Sequence, residues 1–292
     1  MTRIILLGGS GFIGKSLLPM LQKEQFQILR LVRNKQFTTG IDVFSGDICT
    51  HGLLDKHIQD NDIIVNLIGQ TENDSSKFID NNIIGTLNLL NSCIKKKNIR
   101  IILISSIAVY GENSGNLSKE SDEPKPQTTY GLVKLITEKI YYYYSQLYGI
   151  NVTVLRLSTL YGPFKYTGYF SQLLQSIKTG EQLIAYNNGM QKRDMLFVDD
   201  AVKGIIQAIK NYGNDYTVYN ISSGKQYVIK ELIELIECIS NKKLNVLFNS
   251  QIPDERCLSA DNSLAKTNLQ FNPQTKLVDG LQITIDHFLN TV

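Results

Sequence analysis

The 292-residue chain has few cysteines, and the four it has, Cys49, Cys93, Cys238 and Cys257, are far apart, with no C-x-x-C pair and no histidine at metal-ligand spacing. That scarcity excludes a disulfide scaffold or a zinc ribbon and predicts a reduced, cytoplasmic protein without a bound metal. No run approaches the ~18 apolar residues of a membrane span. Only four apolar residues separate Met1-Thr2-Arg3 from the first glycines, too few for a signal-peptide core, so neither export nor a membrane partner is expected. Charge of one sign is lacking too. Thirty Lys and Arg against 27 Asp and Glu leave +3, which argues against nucleic acid as a partner and for a small anion, if any. There is no internal repeat. What is present, 42% hydrophobic and 20% charged residues, is the composition of a globular chain with room for one large or two interlocked domains.

Apolar runs of strand length, Ile4 to Leu7, Gln27 to Val32, Asp62 to Ile68, Arg100 to Ile104 and Asn151 to Leu157, alternate with segments of helical length, Phe12 to Lys23, Ser75 to Lys97 and Thr128 to Tyr148. Consecutive apolar positions suit strands buried on both faces, so the rhythm predicts an α/β fold built on a Rossmann-type, doubly wound parallel sheet. Beyond about residue 160 the rhythm is irregular: a helix from Gly168 to Thr179, a strand from Leu183 to Tyr186, a helix from Asp199 to Lys210 with Asp199 as its N-cap, and a strand from Tyr216 to Ile221. Pro253 and Pro273 punctuate loops. The expected division is a dinucleotide-binding domain of residues 1–163 with about 188–221, and a smaller interleaved α/β substrate lobe of about 164–187 with 222–292. Tyr141 to Tyr144 cover every face of a helix, which suits packing and subunit contact better than ligand stacking.

The first strand runs into Gly8-Gly9-Ser10-Gly11-Phe12-Ile13-Gly14, and Gly9, Gly11 and Gly14 satisfy G-x-G-x-x-G between a strand and a helix. In that context the glycines give a tight turn and close backbone approach to a pyrophosphate, which the helix amides then face. Arg33, 19 residues beyond Gly14, stands at the end of the second strand. An acid there would bind the 2′-hydroxyl of NAD, whereas arginine suits the 2′-phosphate of NADP, so NADP(H) is the favoured cofactor and NAD(H) the alternative. Tyr130 and Lys134 lie at i and i+4 on one helix face, where the ammonium can draw the phenol toward an acid/base range. Ser106, 24 residues before Tyr130, ends a buried strand at the sheet edge where ligands bind and can hydrogen-bond a carbonyl or alcohol. His51, His57 and His287 join no cluster.

These pieces, together with Gly46-Asp47-Ile48, Asn82 to Asn88, Ser105 to Gly111, Arg156 to Pro163, Gly189 to Asp200 and Tyr219-Asn220-Ile221, come in an order that resembles the extended short-chain dehydrogenases/reductases, in the nucleotide-sugar epimerase, dehydratase and reductase branch. The resemblance implies Ser106, Tyr130 and Lys134 as a catalytic trio. It implies a cofactor along Gly8, Gly11, Phe12, Ile13 and Gly14, with Asp47 and Ile48 at the adenine, Leu67 and Gly69 beside it, and Asn82 ordering the site. Arg193 matches a sugar-nucleotide contact. Thr159 stands where many members carry Asn, and Arg256 follows a Gln251-Ile252-Pro253-Asp254 run that lacks the family's phosphate-binding arginine, so both are candidate substrate contacts. Asn66-Leu67-Ile68-Gly69 replaces the usual His-Leu-Ala-Ala. Ile107 and Ala108 occupy the place of the dehydratases' acid pair and cannot shuttle protons, which argues against elimination of water. The resemblance further implies a homodimer packed through the Tyr130–Lys134 helix and the long helix before it. The expected reaction is hydride transfer at C4 of a nucleotide-activated hexose, first as reduction of a 4-keto-6-deoxy sugar, with 4-epimerisation as the alternative and a silent dinucleotide sensor as the outlying one.

Overall fold

Successive residues of a two-sided strand must each find a core, and in this chain they do. Ile4 and Leu6 pack with Leu17 and Leu21, while Ile5 and Leu7 pack on the opposite face with Leu89 and Leu90. The computed structural model describes residues 2–33, 41–69, 78–112, 115–165, 167–211, 213, 215–250 and 257–290. Strands β1 (Arg3–Leu7), β2 (Gln27–Val32), β3 (Asp42–Ser45), β4 (Ile63–Asn66), β5 (Arg100–Ser106) and β6 (Asn151–Leu157) join Tyr216–Ile221 in one sheet. Its order is Tyr216–Ile221, β6, β5, β4, β1, β2, β3, and every pairing is parallel. The winding reverses between β1 and β4, so a crevice opens above their C-terminal ends.

A third core lies outside the sheet. Phe170, Leu173 and Leu174 from the helix Tyr169–Thr179 pack with Leu232, Ile233 and Ile236 from Ile229–Ser240 and with Leu281 and Ile285 from Leu277–Asn290. Among the described residues no helix is long and apolar enough to cross a membrane.

The structure departs from the sequence reading in a few places. The four-residue strand β3 was not anticipated: only Phe44 in it is buried, so it carries no apolar run. β5 extends two residues further, to Ser106, and brings that serine to the crevice. Asp199 is not a cap. The helix is Val198–Lys210 with Phe197 at its N-cap and no side-chain cap bond. Its neighbour Asp200 instead accepts from the backbone amides of Gln274 and Thr275 at 3.1 and 2.8 Å, pinning the loop before the last helix. Of the helix expected over 75–97, residues 75–77 lie outside the described residues, and the rest begins with a π-helical turn, Asp80–Ile84, before Gly85–Cys93.

Candidate active site

The turn after β1 is shaped by what its glycines lack. Gly8 takes φ +79°, and a side chain on Gly14 would drive into the backbone of Gly9, so helix Phe12–Lys23 can start hard against the strand. Its N-cap, Gly11, offers no side-chain acceptor, which leaves the first amides aimed into the crevice. A cradle with no room for a Cβ and a row of uncapped amides fits the pyrophosphate of a dinucleotide.

On the far wall, Ser106 ends β5 and caps the short turn Ile107–Val109, its Oγ accepting from Ala108 N at 3.2 Å. That acceptance leaves the hydroxyl proton free on the cavity wall it shares with Tyr130. Thr128 caps helix Thr129–Tyr148 by accepting from Gly131 N at 3.0 Å, which fixes Tyr130 in the first turn. One turn on, Lys134 is buried, and its Nζ donates to Ile104 O at 3.1 Å, 6.0 Å from the centre of the Tyr130 ring. Burial draws the Lys134 ammonium down to about 8, against the pull of Glu138. Burial also raises the Tyr130 phenol, and the Ser106 hydrogen bond only partly offsets it. The phenol is therefore raised rather than lowered as expected, because burial is the larger cause and the ammonium stands 6.0 Å from the ring centre.

Behind the lysine lies a network that the sequence reading missed. Glu138, one turn beyond Lys134, accepts from Ser105 Oγ at 2.5 Å and from Arg156 Nη2 at 2.7 Å. Arg156 Nη1 reaches the Tyr110 hydroxyl at 2.8 Å, which donates to Asn220 Oδ1 at 2.8 Å. The spacing Tyr130, Lys134, Glu138 was its signal, a third residue on the same helix face.

Two cavities meet at Gly8, Gly11, Leu67 and Gly69. The larger, about 860 Å³, is lined by Phe12, Ile13 and Gly14, by Ser106, Tyr130 and Lys134, and by Thr159 and Arg193. Lys165 joins this lining with its amine lowered by burial, and among the described residues no acidic side chain does. The smaller, about 480 Å³, holds Arg33, Asp47 and Ile48 together with Arg30, which the sequence reading also missed. Asn82 sits just behind, buried in the π-helical turn, its amide donating to Phe78 O at 2.8 Å. Arg193 donates to Lys192 O at 2.9 Å, while Asp194 and Asp200 are engaged by Ser223 and by Lys203. Arg256 lies outside the described residues. No cluster of three metal-ligating residues occurs among the described residues.

Comparison with known proteins follows the same outline. Residues 4–222 match the family model described as NAD dependent epimerase/dehydratase family. An uncharacterized protein of Methanocaldococcus jannaschii is 31% identical over 93% of this chain and 84% of its own length. The UDP-glucuronate 4-epimerase of Thermodesulfobacterium geofontis is 29% identical over 72% of this chain and 65% of its own. A solved structure of UDP-glucuronic acid 4-epimerase from Bacillus cereus, in complex with UDP-glucuronic acid and NAD, is 28% identical with a TM-score of 0.89 and covers 100% of both chains. Because the family match runs from β1 through Tyr216–Ile221, and so through the whole sheet that carries the crevice, the chain belongs to the NAD dependent epimerase/dehydratase family, an enzyme family of the extended short-chain dehydrogenases/reductases.

Proposed function

We propose that this chain epimerises a nucleotide-activated sugar at C4, with Ser106, Tyr130 and Lys134 as catalytic residues. The observation that carries the reading is that Ser106, Tyr130 and Lys134 line one wall of the same cavity that Gly8, Gly11 and Gly14 line. A nicotinamide dinucleotide bound along Gly8, Gly11 and Gly14 supplies the hydride acceptor and donor. Tyr130 Oη, as the phenolate, would take the proton of the C4 hydroxyl as hydride leaves C4, and as the phenol would give it back after the 4-keto sugar has turned its other face. Ser106 holds the C4 oxygen throughout. Lys134 keeps positive charge beside the phenol and offers its ammonium to the cofactor's ribose. Leu67, Gly69 and Asn82 border the same cofactor, Asp47 and Ile48 its adenine, and Thr159 and Arg193 hold the sugar nucleotide, the guanidinium on its diphosphate. The helices of the third core form the substrate lobe.

The expected 4-keto-6-deoxy-sugar reductase gives way to epimerisation because relatives at 28–29% identity over most of this chain bear 4-epimerase names. Reduction stays as a second reading on one observation. Arg33 lines the smaller cavity, which favours NADP(H), the reductant's form of the cofactor, over NAD(H). Incubation with UDP-, dTDP-, GDP- and CDP-sugars, followed by NMR of C4 and by nicotinamide absorbance, separates them. A C4 epimer without net cofactor use supports epimerisation; one NADPH consumed per 4-keto sugar supports reduction; neither change overturns both.

A homodimer belongs to the same proposal. Leu132, Ile136 and Tyr143 are exposed along Thr129–Tyr148, and a groove of about 620 Å³ runs between that helix and Gly85–Cys93. Light scattering returning the mass of two chains supports this interface, and a single-chain mass at micromolar concentration contradicts it.

A further inference from the structure

Helix Thr129–Tyr148 meets the end of β5 residue by residue. Lys134 Nζ donates to Ile104 O at 3.1 Å, Ser105 Oγ donates to Glu138 Oε1 at 2.5 Å, and Ser106 faces the larger cavity with Tyr130. Tyr130, Lys134 and Glu138 are spaced by four, so they form a ladder on one helix face against three successive strand residues. Glu138 is 2% exposed, and Arg156 from β6 clamps both of its oxygens, with Nε at 3.1 and 3.3 Å and Nη2 at 2.7 Å. A carboxylate gripped in this way cannot turn its charge away from the amine one helical turn before it. The other groups around the pair are Tyr110, which meets Arg156 Nη1 at 2.8 Å, Glu120, which accepts from Asn220 N at 2.7 Å, and Tyr216, whose hydroxyl donates to Glu138 O at 3.3 Å. On the side toward β4 stand Gly69, where a Cβ would drive into Lys134 Nζ, and the uncharged amide of Asn82.

We infer that Glu138 is a positioning residue for the proposed C4 chemistry: held rigid by Arg156 and Ser105, it supplies the negative charge that keeps Lys134 an ammonium beside Tyr130. The inference deepens the proposed function and rests on it for what Lys134 does in turnover, but not for how Lys134 titrates. A lysine shut away from water tends to lose its proton, and burial does draw this amine down to about 8, with the attraction of Glu138 opposing it. Without that carboxylate the amine would give up much of its charge at neutral pH, and a phenolate at Tyr130 would lose the cation beside it. Arg156 is the counterweight. It fixes the carboxylate in place, and by pairing with it takes up part of the attraction that Lys134 would otherwise feel.

The test reads the lysine itself, by NMR of the cofactor-free full chain with isotope-labelled lysine side chains, the Lys134 signal being identified by its loss in Lys134→Arg. In the unaltered chain that signal should titrate at about 8. Glu138→Gln keeps the shape and removes the charge, and should move the midpoint down by about one unit or more, roughly a tenfold loss of ammonium. Glu138→Asp should restore most of it. Arg156→Met frees the carboxylate from its competing cation and should move the midpoint up. A merely structural role predicts the opposite sign for Glu138→Gln, because loosening would let water reach the amine and raise its midpoint; a rise or no change there overturns the inference. If Glu138→Gln does not fold, the double change with Arg156→Met removes the pair without leaving a buried charge, and the same fall is expected of it. In turnover, Glu138→Gln should leave KM for the sugar nucleotide in place and move the alkaline limb of the kcat profile down by the same interval. A limb that stays put while the lysine midpoint falls overturns the role in turnover. A chain that makes no C4 epimer counts against the proposed function, and a fallen midpoint still establishes the hold of Glu138 on Lys134.

Discussion

Two arginines lie in the same sheet at nearly equal burial, Arg156 in β6 at 5% exposure and Arg30 in β2 at 6%. Arg156 is fully engaged by Glu138 and Tyr110 behind the catalytic lysine. Arg30, at the opposite end of the cleft, has a buried Nε with no hydrogen-bond partner among the described residues. The catalytic end is thus built and held before any ligand arrives, as hydride and proton transfer require of groups that must be aimed. At the other end the Arg30 guanidinium is buried with its Nε unmatched among the described residues, a cost the fold carries rather than an engaged pair.

The sharpest break in the catalytic end is Tyr130→Phe. It keeps the ring beside Phe78 and removes the proton donor, so turnover should fall roughly 10²- to 10⁴-fold while sugar-nucleotide binding persists, read by single-turnover kinetics and calorimetry. Next, Glu138→Ala leaves Arg156 as a buried unpaired charge and should cost about 3–5 kcal/mol of stability. Denaturant titration checks it, and the same titration on Arg30→Met should show no loss, which is the comparison in its plainest form. A smaller effect separates hydrogen bond from charge: Tyr110→Phe removes one neutral link of the network and should cost about 1 kcal/mol.

A further effect is in pH. Lys134 titrates near 8 in the fold and near its ordinary ~10.4 when unfolded, so between those values the unfolded chain holds more protons and stability should rise with pH. It should be lost again as pH falls through about 8. Lys134→Met should flatten that window in thermal melts of the cofactor-free chain. An unchanged slope would show that the lysine is not desolvated.

The end of the cleft proposed as catalytic was visible as a local pattern in the sequence, because the residues that line it are set by short spacings. Ser106 follows a continuous apolar run, Tyr130 and Lys134 share one helix face, and Gly8 to Gly14 join a strand to a helix. Glu138 was within reach by the same spacing, but its value depends on Arg156, whose place beside it is set by the parallel pairing of β5 with β6. Arg30 was hidden for a related reason. Flanked by Leu29 and Leu31, it reads as a tolerated charge within an apolar strand, and only the fold shows that its Nε finds no partner among the described residues. Asp200 escaped notice beside Asp199 because its partners, the amides of Gln274 and Thr275, are more than seventy residues away. Short local patterns expose the groups that act, whereas the pairs that hold them are long-range.

The central claim, hydride leaving and returning to C4 of one sugar nucleotide, is tested most directly with UDP-sugars carrying deuterium at C4. The account predicts that NMR will find the C4 epimer with deuterium retained at C4, no net change in nicotinamide absorbance, and formation of the epimer slowed roughly 10²-fold or more in Tyr130→Phe. Epimer formed with deuterium lost to solvent, or formed equally well by Tyr130→Phe, would contradict it.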